Sequence, residues 1–103
     1  MSPPKFIVRL LSVAEEDLAE AITFIAVGNP AAATALADKM GKSLGALARH
    51  PHMGRVPDDP ELMQLGYRYL IVDDYLIFYV VREEGEVVVH RILHGARDYR
   101  GLL

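Results

Sequence analysis

The sequence predicts an α+β domain in which a helical hairpin packs on one face of a small antiparallel sheet. One short strand-like segment is followed by two segments with apolar residues at helical spacing and then by three further strand-like segments. The predicted element order is therefore β-α-α-β-β-β, and helices and strands that occur in separate runs are typical of this class. The length of 103 residues predicts a single domain, 1–103, with one modest core.

The first strand and first helix are predicted from a change of pattern at Ser12. Residues 6–11 are mostly β-branched or apolar and follow two prolines, which is typical of a strand. Ser12 and Glu15 have the spacing of a capping box, so Ser12 is the predicted N-cap of the helix. Apolar residues then recur at helical spacing, and we expect this helix to end near Val27.

The second helix is predicted to begin at Pro30, directly after a break at Gly28-Asn29. Proline is favoured at the first helical position, and the Asn29 side chain suits the N-cap. Because so few residues join the helices, they should form an antiparallel hairpin. Five apolar residues continue as one stripe up to Pro51, which ends the helix: Ala32, Leu36, Met40, Leu44 and Leu47.

The remaining chain is predicted to be a loop followed by a three-stranded meander. Prolines and glycines punctuate residues 51–66, within which residues 61–65 suit one helical turn. The predicted strands are 67–72, 75–81 and 86–93, and residues 94–103 form a tail.

Composition excludes several classes of function. The chain contains no cysteine, which rules out disulfides and thiolate metal sites, and its net charge of −3 gives no general basic field for nucleic acid. No stretch is long and apolar enough for a membrane span, and residues 1–9 do not resemble a signal peptide. Without a glycine-rich phosphate loop or metal-ligand spacing, we expect no cofactor and no metal. We expect a cytoplasmic protein that binds macromolecules rather than metabolites.

Positive charge is concentrated near the C-terminus. Residues 90–103 contain three arginines against one carboxylate, Asp98, so an anionic partner would dock there. Arg91 lies between apolar strand residues, where arginine is unusual unless it is paired or functional. Either it forms an ion pair with an acidic residue such as Glu15, Glu16 or Asp73, or it contributes to target binding.

The middle strand of the meander is apolar on both faces. Its odd-numbered residues from Tyr75 to Val81 point one way, and Leu76, Phe78 and Val80 point the other. A strand with one solvated face should alternate apolar with polar residues. The second face is therefore either a partner site or is covered by the loop 51–66 or the tail.

Over nearly its full length, the chain resembles the RelE/ParE toxin superfamily, the toxic halves of type II toxin–antitoxin pairs. The resemblance is carried by segments in a fixed order, of which the last is the most specific. They are Ala14–Leu18, Asn29–Ala33, Leu47, Pro51, Gly54-Arg55, Gly66–Arg68, Tyr75–Tyr79 and the Arg91–Asp98 run, RILHGARD.

The resemblance implies the same fold, a cognate antitoxin as partner, and DNA contact only indirectly through that antitoxin. Members of this kind are associated with plasmid stabilisation. RelE-like members cut messenger RNA on the ribosome, whereas ParE-like members inhibit DNA gyrase without a hydrolytic site. RelE-like members carry an arginine where this chain has Leu76, and their C-terminal catalytic tyrosine would fall near Leu103, with Tyr99 out of register. The sequence therefore favours the ParE-like branch.

Three sets of candidate residues follow from these patterns. The expected target-binding residues are Arg91, His94, Arg97 and Arg100. The expected antitoxin-binding residues are Leu76, Phe78 and Val80. In the alternative, a ribosome-dependent endonuclease, the catalytic residues would be Arg68, His94 and Arg97, with the ribosome and messenger RNA as partners.

Overall fold

A computed structural model describes residues 5–103, and its architecture confirms the predicted α+β fold with the order β-α-α-β-β-β. One additional short helix lies in the loop before the meander, where one helical turn was predicted. The elements are β1 (Ile7–Leu10), α1 (Ser12–Gly28), α2 (Pro30–Arg49), α3 (Pro60–Gln64), β2 (Tyr67–Val72), β3 (Tyr75–Arg82) and β4 (Glu86–His94).

The four strands form one sheet in the order β1-β4-β3-β2. Strands β2, β3 and β4 pair as the predicted antiparallel meander, but β1 joins the edge of β4 in parallel. The amide of Phe6, just before β1, donates to the carbonyl of Ala48 near the end of α2 at 2.9 Å. The helical hairpin thus returns the chain to the end of the sheet where β1 began, and β2 starts in the same direction as β1. The sheet is consequently mixed rather than wholly antiparallel.

The two long helices begin in different ways. Helix α2 starts as predicted, because the Asn29 side chain accepts a hydrogen bond from the amide of Ala32 at 3.0 Å and Pro30 occupies the first turn. The predicted Ser12 cap is wrong. Ser12 is already helical, Leu11 is the N-cap, and no side chain caps this end. The chain enters α1 directly from the sheet, with the Leu11 amide still bonded to the carbonyl of Val89.

The main core lies between the helices and one face of the sheet. From β3, Ile77 and Tyr79 point into it and are fully buried, as the predicted alternation requires. From α2 it is filled by Leu36, Met40 and Leu47, whose spacing keeps them on one helical face.

The other face of the sheet is covered by α3 and the C-terminal tail. Phe78 on β3 is fully buried there, with Leu62 of α3 in the same cluster. The ring of Tyr99 lies 4.7 Å from the Phe78 ring, and Leu102 and Leu103 also pack against the cluster. Of the two alternatives, a partner site or coverage by the chain itself, the structure shows the second: the loop 51–66 and the tail cover this face.

A β-bulge interrupts the pairing of β3 with β4. Tyr79 pairs with Val89 and Phe78 pairs with Arg91, so that His90 is an additional residue without a partner on β3. The bulge turns His90 toward Tyr67, on the face that the tail covers, rather than onto the face shared with Ile92 as simple alternation predicts. Among residues 5–103, no helix is long and apolar enough to cross a membrane.

Candidate functional site

An open groove lies between α1 and the segment that follows β4, and we call it the C-terminal groove. Its volume is about 340 Å³. One wall is acidic, with Asp17 and Glu20 from α1, and the other wall is basic, with His94 and Arg97. Phe24 of α1 lines the groove while 80% of its surface remains exposed. The remaining lining residues are Ala21, Tyr75, Ile92 and Leu93.

His94 is held at the end of β4 by a tight turn. Its Nδ1 accepts a hydrogen bond from the amide of Ala96 at 3.1 Å, so that in the neutral ring the proton resides on Nε2. The ring meets the ring of Tyr75 edge-on, with centroids 5.4 Å apart. The amide of Gly95 donates to the carbonyl of Asp74 at 2.7 Å and fixes the turn to the β2–β3 hairpin. His94 is therefore exposed but well positioned.

Arg97 follows on the same wall, and its amide donates to the carbonyl of His94 at 3.0 Å. Its side chain is exposed and makes no hydrogen bond or ion pair within residues 5–103. A guanidinium in this state offers up to five donors to an incoming carboxylate or phosphate. His94 and Arg97 are thus the two predicted target-binding residues that the structure brings together in the groove.

Arg91 is engaged within the chain. Its guanidinium binds the carboxylate of Asp17 through two hydrogen bonds of 2.7 and 2.8 Å, and it also donates to the carbonyl of Leu102 at 3.2 Å. The two side chains are only 15% and 8% exposed. The hydrogen bonds that the guanidinium donates to Asp17 raise the pKa of Arg91 above its ordinary value. The ion-pair alternative is the one that the geometry supports, with Asp17 as partner rather than Glu15, Glu16 or Asp73.

Asp17 also accepts a hydrogen bond from a backbone amide at the edge of the sheet. Strand β1 pairs with β4 only as far as Val89, and beyond it the Asp17 carboxylate accepts from the amide of Ile92 at 3.0 Å. One carboxylate thereby replaces a strand partner and neutralises Arg91. Among the acidic residues of α1, the sequence indicated the neighbouring Glu15 and Glu16 as partners of Arg91, and this role of Asp17 was missed.

Arg100 lies outside the groove lining. It is exposed and binds Asp98, two residues earlier, through Nε at 3.2 Å. This contact lowers the pKa of Asp98, first through the hydrogen bond and then through the charge of Arg100. Arg100 remains a prediction as a target-binding residue, with Asp98 competing for its guanidinium.

Arg68 lies far from His94 and Arg97. It pairs with Tyr79 near the start of β2, while His94 pairs with Tyr75 at the opposite end of the sheet. Four residues and two strand spacings separate these positions, which corresponds to about 13 Å along the strands and about 10 Å across them. The Arg68 guanidinium donates through Nη1 to the carbonyls of His52 and Gly54. The three residues of a cleavage site therefore do not converge.

The predicted antitoxin-binding residues lie in the cluster beneath the tail. Phe78 is wholly buried, and Leu76 and Val80 are partly buried beside it. They share one face as predicted, but in the described chain that face is not an open groove.

Two buried tyrosine contacts were also missed by the sequence analysis. The Tyr79 hydroxyl accepts from the amide of Gly54 at 2.9 Å and fixes the loop before β2. The Tyr67 hydroxyl lies 3.0 Å from Nδ1 of His90. Burial raises the pKa of both tyrosines, and it lowers the pKa of His90 with a further contribution from Arg82 and Arg9. Both contacts join residues distant in sequence, so no local pattern signals them.

The C-terminal groove presents charged and aromatic side chains that can contact a partner. The groups with shifted pKa values that are not ion-paired, Tyr67, Tyr79 and His90, all lie outside its lining. Within residues 5–103, no three His, Cys, Asp or Glu side chains are grouped to hold a metal. The fold and the groove thus define a small α+β domain with an exposed groove lined by charged and aromatic side chains.

Comparison with known proteins places this domain in a family. A family model described as the ParE toxin of type II toxin–antitoxin system, parDE, matches residues 8–99. The chain therefore belongs to the ParE toxin family. No curated protein sequence matches it significantly.

Solved structures share the fold. A chain of the chromosomal ParDE TA system from P. aeruginosa superposes with a TM-score of 0.70 at 18% identity, covering 87% of this chain and 96% of that chain. A chain of the toxin–antitoxin complex RelBE2 from Mycobacterium tuberculosis superposes with a TM-score of 0.62 at 24% identity, covering 93% and 98%. At these identities the likeness concerns the fold alone.

Proposed function

We propose that this toxin inhibits DNA gyrase by protein–protein contact through the C-terminal groove and that a cognate antitoxin neutralises it. The proposed site of action is the cytoplasm, where gyrase works. His94 and Arg97 are the proposed target-binding residues, and Arg100 extends the basic end of the chain. The proposal involves no cofactor and reaches DNA only through the antitoxin or the gyrase itself.

The observation that carries this proposal is the separation of Arg68 from His94 and Arg97. Cleavage of a phosphodiester requires an anion clamp and proton-transfer groups within hydrogen-bond reach of one phosphate. Arg68 lies at the other end of the sheet and is held by the His52 and Gly54 carbonyls. Leu76, which replaces the middle-strand arginine of RelE-like members, packs in the apolar cluster under the tail. This arrangement favours docking over catalysis.

The C-terminal groove has the composition of a protein-docking surface. Its walls suit a partner that carries both signs of charge, because Glu20 lines one wall and Arg97 the other, while Asp17 is neutralised by Arg91. Phe24 and Val27 on α1 are 80% and 87% exposed, and large exposed apolar side chains beside a charged groove are typical of interfaces. The family match is to a ParE toxin, and gyrase enters as the target that the resemblance to ParE-like members implies.

For the antitoxin, the proposed contact residues remain Leu76, Phe78 and Val80. An antitoxin segment reaches them only if Tyr99, Leu102 and Leu103 move away from the cluster, because these tail residues cover Phe78. A strand or amphipathic helix with apolar side chains would replace the tail with chemistry of the same kind.

A pair of assays on the purified chain, freed of antitoxin, tests the proposal. We expect inhibition of gyrase supercoiling and intact messenger RNA on translating ribosomes. Cleaved message with normal supercoiling would contradict the proposal and support the RelE-like alternative. His94 and Arg97 would then be the first residues to test as catalysts.

A further inference from the structure

A second groove lies at the opposite end of the sheet from the C-terminal groove, and we call it the loop groove. It is formed by the loop before β2, by α3 and by the facing ends of β2 and β3, with a volume of about 350 Å³. The lining residues that matter here are His52, Val56, Met63, Arg68 and Val81. None of them belongs to the proposed gyrase-binding groove.

The loop that forms this groove is held in one shape. The buried Tyr79 hydroxyl binds the amide of Gly54 at 2.9 Å, and Arg55 and Tyr69 exchange two backbone hydrogen bonds of 2.8 and 2.9 Å. A β-carbon at Gly54 would lie 2.5 Å from the Tyr79 hydroxyl and 2.9 Å from the Tyr69 carbonyl oxygen. Glycine is therefore required at this close approach. A preorganised loop loses little conformational entropy when a ligand binds.

This fixed loop exposes apolar side chains. Met63 is 51% exposed and Val56 is 44% exposed, although both line the loop groove. Methionine is common at surfaces that bind peptides because its side chain is flexible and polarisable. A concave apolar surface on a rigid loop is typical of a binding site rather than of a connection alone.

The charged residues that line the loop groove indicate which kind of ligand it would bind. Arg68 and His52 are basic, and no carboxylate is among the lining residues. Asp59, in the same loop, is not among the lining residues and caps α3 by accepting from the amides of Glu61 and Leu62. Within residues 5–103, Arg68 donates only through Nη1, which leaves Nε and Nη2 for a ligand. The complementary ligand is a carboxylate next to an apolar side chain.

We propose that the loop groove, through Arg68 and Met63, binds an acidic-apolar segment of the cognate antitoxin. This inference rests on the proposed function, which supplies the antitoxin as partner. The antitoxin is favoured over gyrase because the two grooves lie at opposite ends of the sheet. An antitoxin that binds both the loop groove and the apolar face of β3 gains affinity from the high effective concentration of its second segment.

The chain offers a matched pair of variants for the test. Met63 and Leu65 lie at the same end of α3 and are 51% and 62% exposed, but only Met63 lines the loop groove. Met63→Glu places a carboxylate against the expected carboxylate of the ligand. By titration calorimetry with the full-length antitoxin, Met63→Glu should weaken binding by roughly tenfold or more, and Leu65→Glu by less than about threefold. Thermal unfolding of both variants checks that each is folded.

Arg68→Gln supplies an independent measurement. We expect this variant to bind the antitoxin more weakly and with a smaller dependence on salt than the unchanged chain, because one charge pair is lost. Antitoxin affinity that is unaffected by both Met63→Glu and Arg68→Gln would overturn the inference. Loss of gyrase inhibition in Met63→Glu with full antitoxin affinity would also overturn it and would assign the groove to the target. Failure of the unchanged chain to inhibit gyrase would contradict the proposed function alone.

Discussion

Asp17 determines how the C-terminal part of the chain meets the first helix. Its carboxylate binds the Arg91 guanidinium and the amide of Ile92, and both Asp17 and Ile92 line the C-terminal groove. The sequence could not identify the pair, because Asp17 and Arg91 are 74 residues apart and three consecutive acidic residues compete for the role. Helix α1 buries Ala14 and Ala21, and this fixes the rotation of the helix about its axis. In that rotation Asp17, rather than Glu15 or Glu16, faces Arg91.

Asp17→Ala should destabilise the chain strongly. It would leave the largely buried Arg91 charge without its partner and the Ile92 amide without an acceptor. Breaking a buried pair by removing one member costs about 3 kcal/mol. Urea unfolding measures this loss, with the exposed neighbour Glu16→Ala as control. An equal, small change in both variants would show that the pair contributes nothing specific.

His90 makes the stability of the chain sensitive to mild acid. Burial, together with repulsion from Arg82 and Arg9, lowers the pKa of His90 below its ordinary value of 6.5. Below that value the unfolded chain binds a proton that the folded chain does not accept, so stability is retained above about pH 6.5 and falls as the pH decreases.

The free energy of unfolding, measured from pH 7 down to pH 5, should therefore decline less in His90→Gln than in the unchanged chain. His50→Gln, at an exposed position after α2, serves as the matched control and should leave the decline as it is. Identical pH profiles for His90→Gln and the unchanged chain would contradict the assignment.

The sequence did not predict where the C-terminal tail packs. Both faces of β3 could be predicted as apolar from their alternation, and they are. Which segment covers the second face depends on contacts between Tyr99 and Phe78, and no periodic pattern reports such contacts. For similar reasons the parallel direction of β1 and the bulge at His90 were not predicted, since both follow from the path of the chain around the whole sheet.

Phe78→Ala should act first on stability. Phe78 is fully buried, and truncation of a buried phenylalanine costs about 3–5 kcal/mol. Tyr99→Ala uncovers the same face and leaves Phe78 in place, so it should lower the melting temperature less.

If the antitoxin replaces the tail, Tyr99→Ala should also bind the antitoxin at least as tightly as the unchanged chain. Thermal unfolding and titration with the antitoxin measure the two effects. Weaker antitoxin binding by a folded Tyr99→Ala chain would mean that the tail contributes to the complex rather than competing with it.

For the domain as a whole, the sequence predicted the local elements, but the C-terminal groove forms only when distant segments come together in the fold. The Asn29 cap, the bounds of α2 and the order of the elements follow from neighbouring residues and were predicted. The C-terminal groove combines α1 with residues after β4, and the sequence predicted only its basic wall. Of the four predicted target-binding residues, Arg91 is paired within the chain, while His94 and Arg97 face the groove.

Gyrase inhibition by single arginine variants tests the role of the C-terminal groove most directly. Arg97 lines the groove, whereas Arg100 carries the same charge on the same tail but lies outside the lining and binds Asp98. The concentration of toxin that halves supercoiling should rise at least about tenfold for Arg97→Ala, since a charged interface contact is lost. It should rise less for Arg100→Ala, because Asp98 already engages the Arg100 guanidinium, and both variants should keep their affinity for the antitoxin. Equal inhibition by the unchanged chain and Arg97→Ala would contradict the assignment of this groove as the gyrase-binding surface.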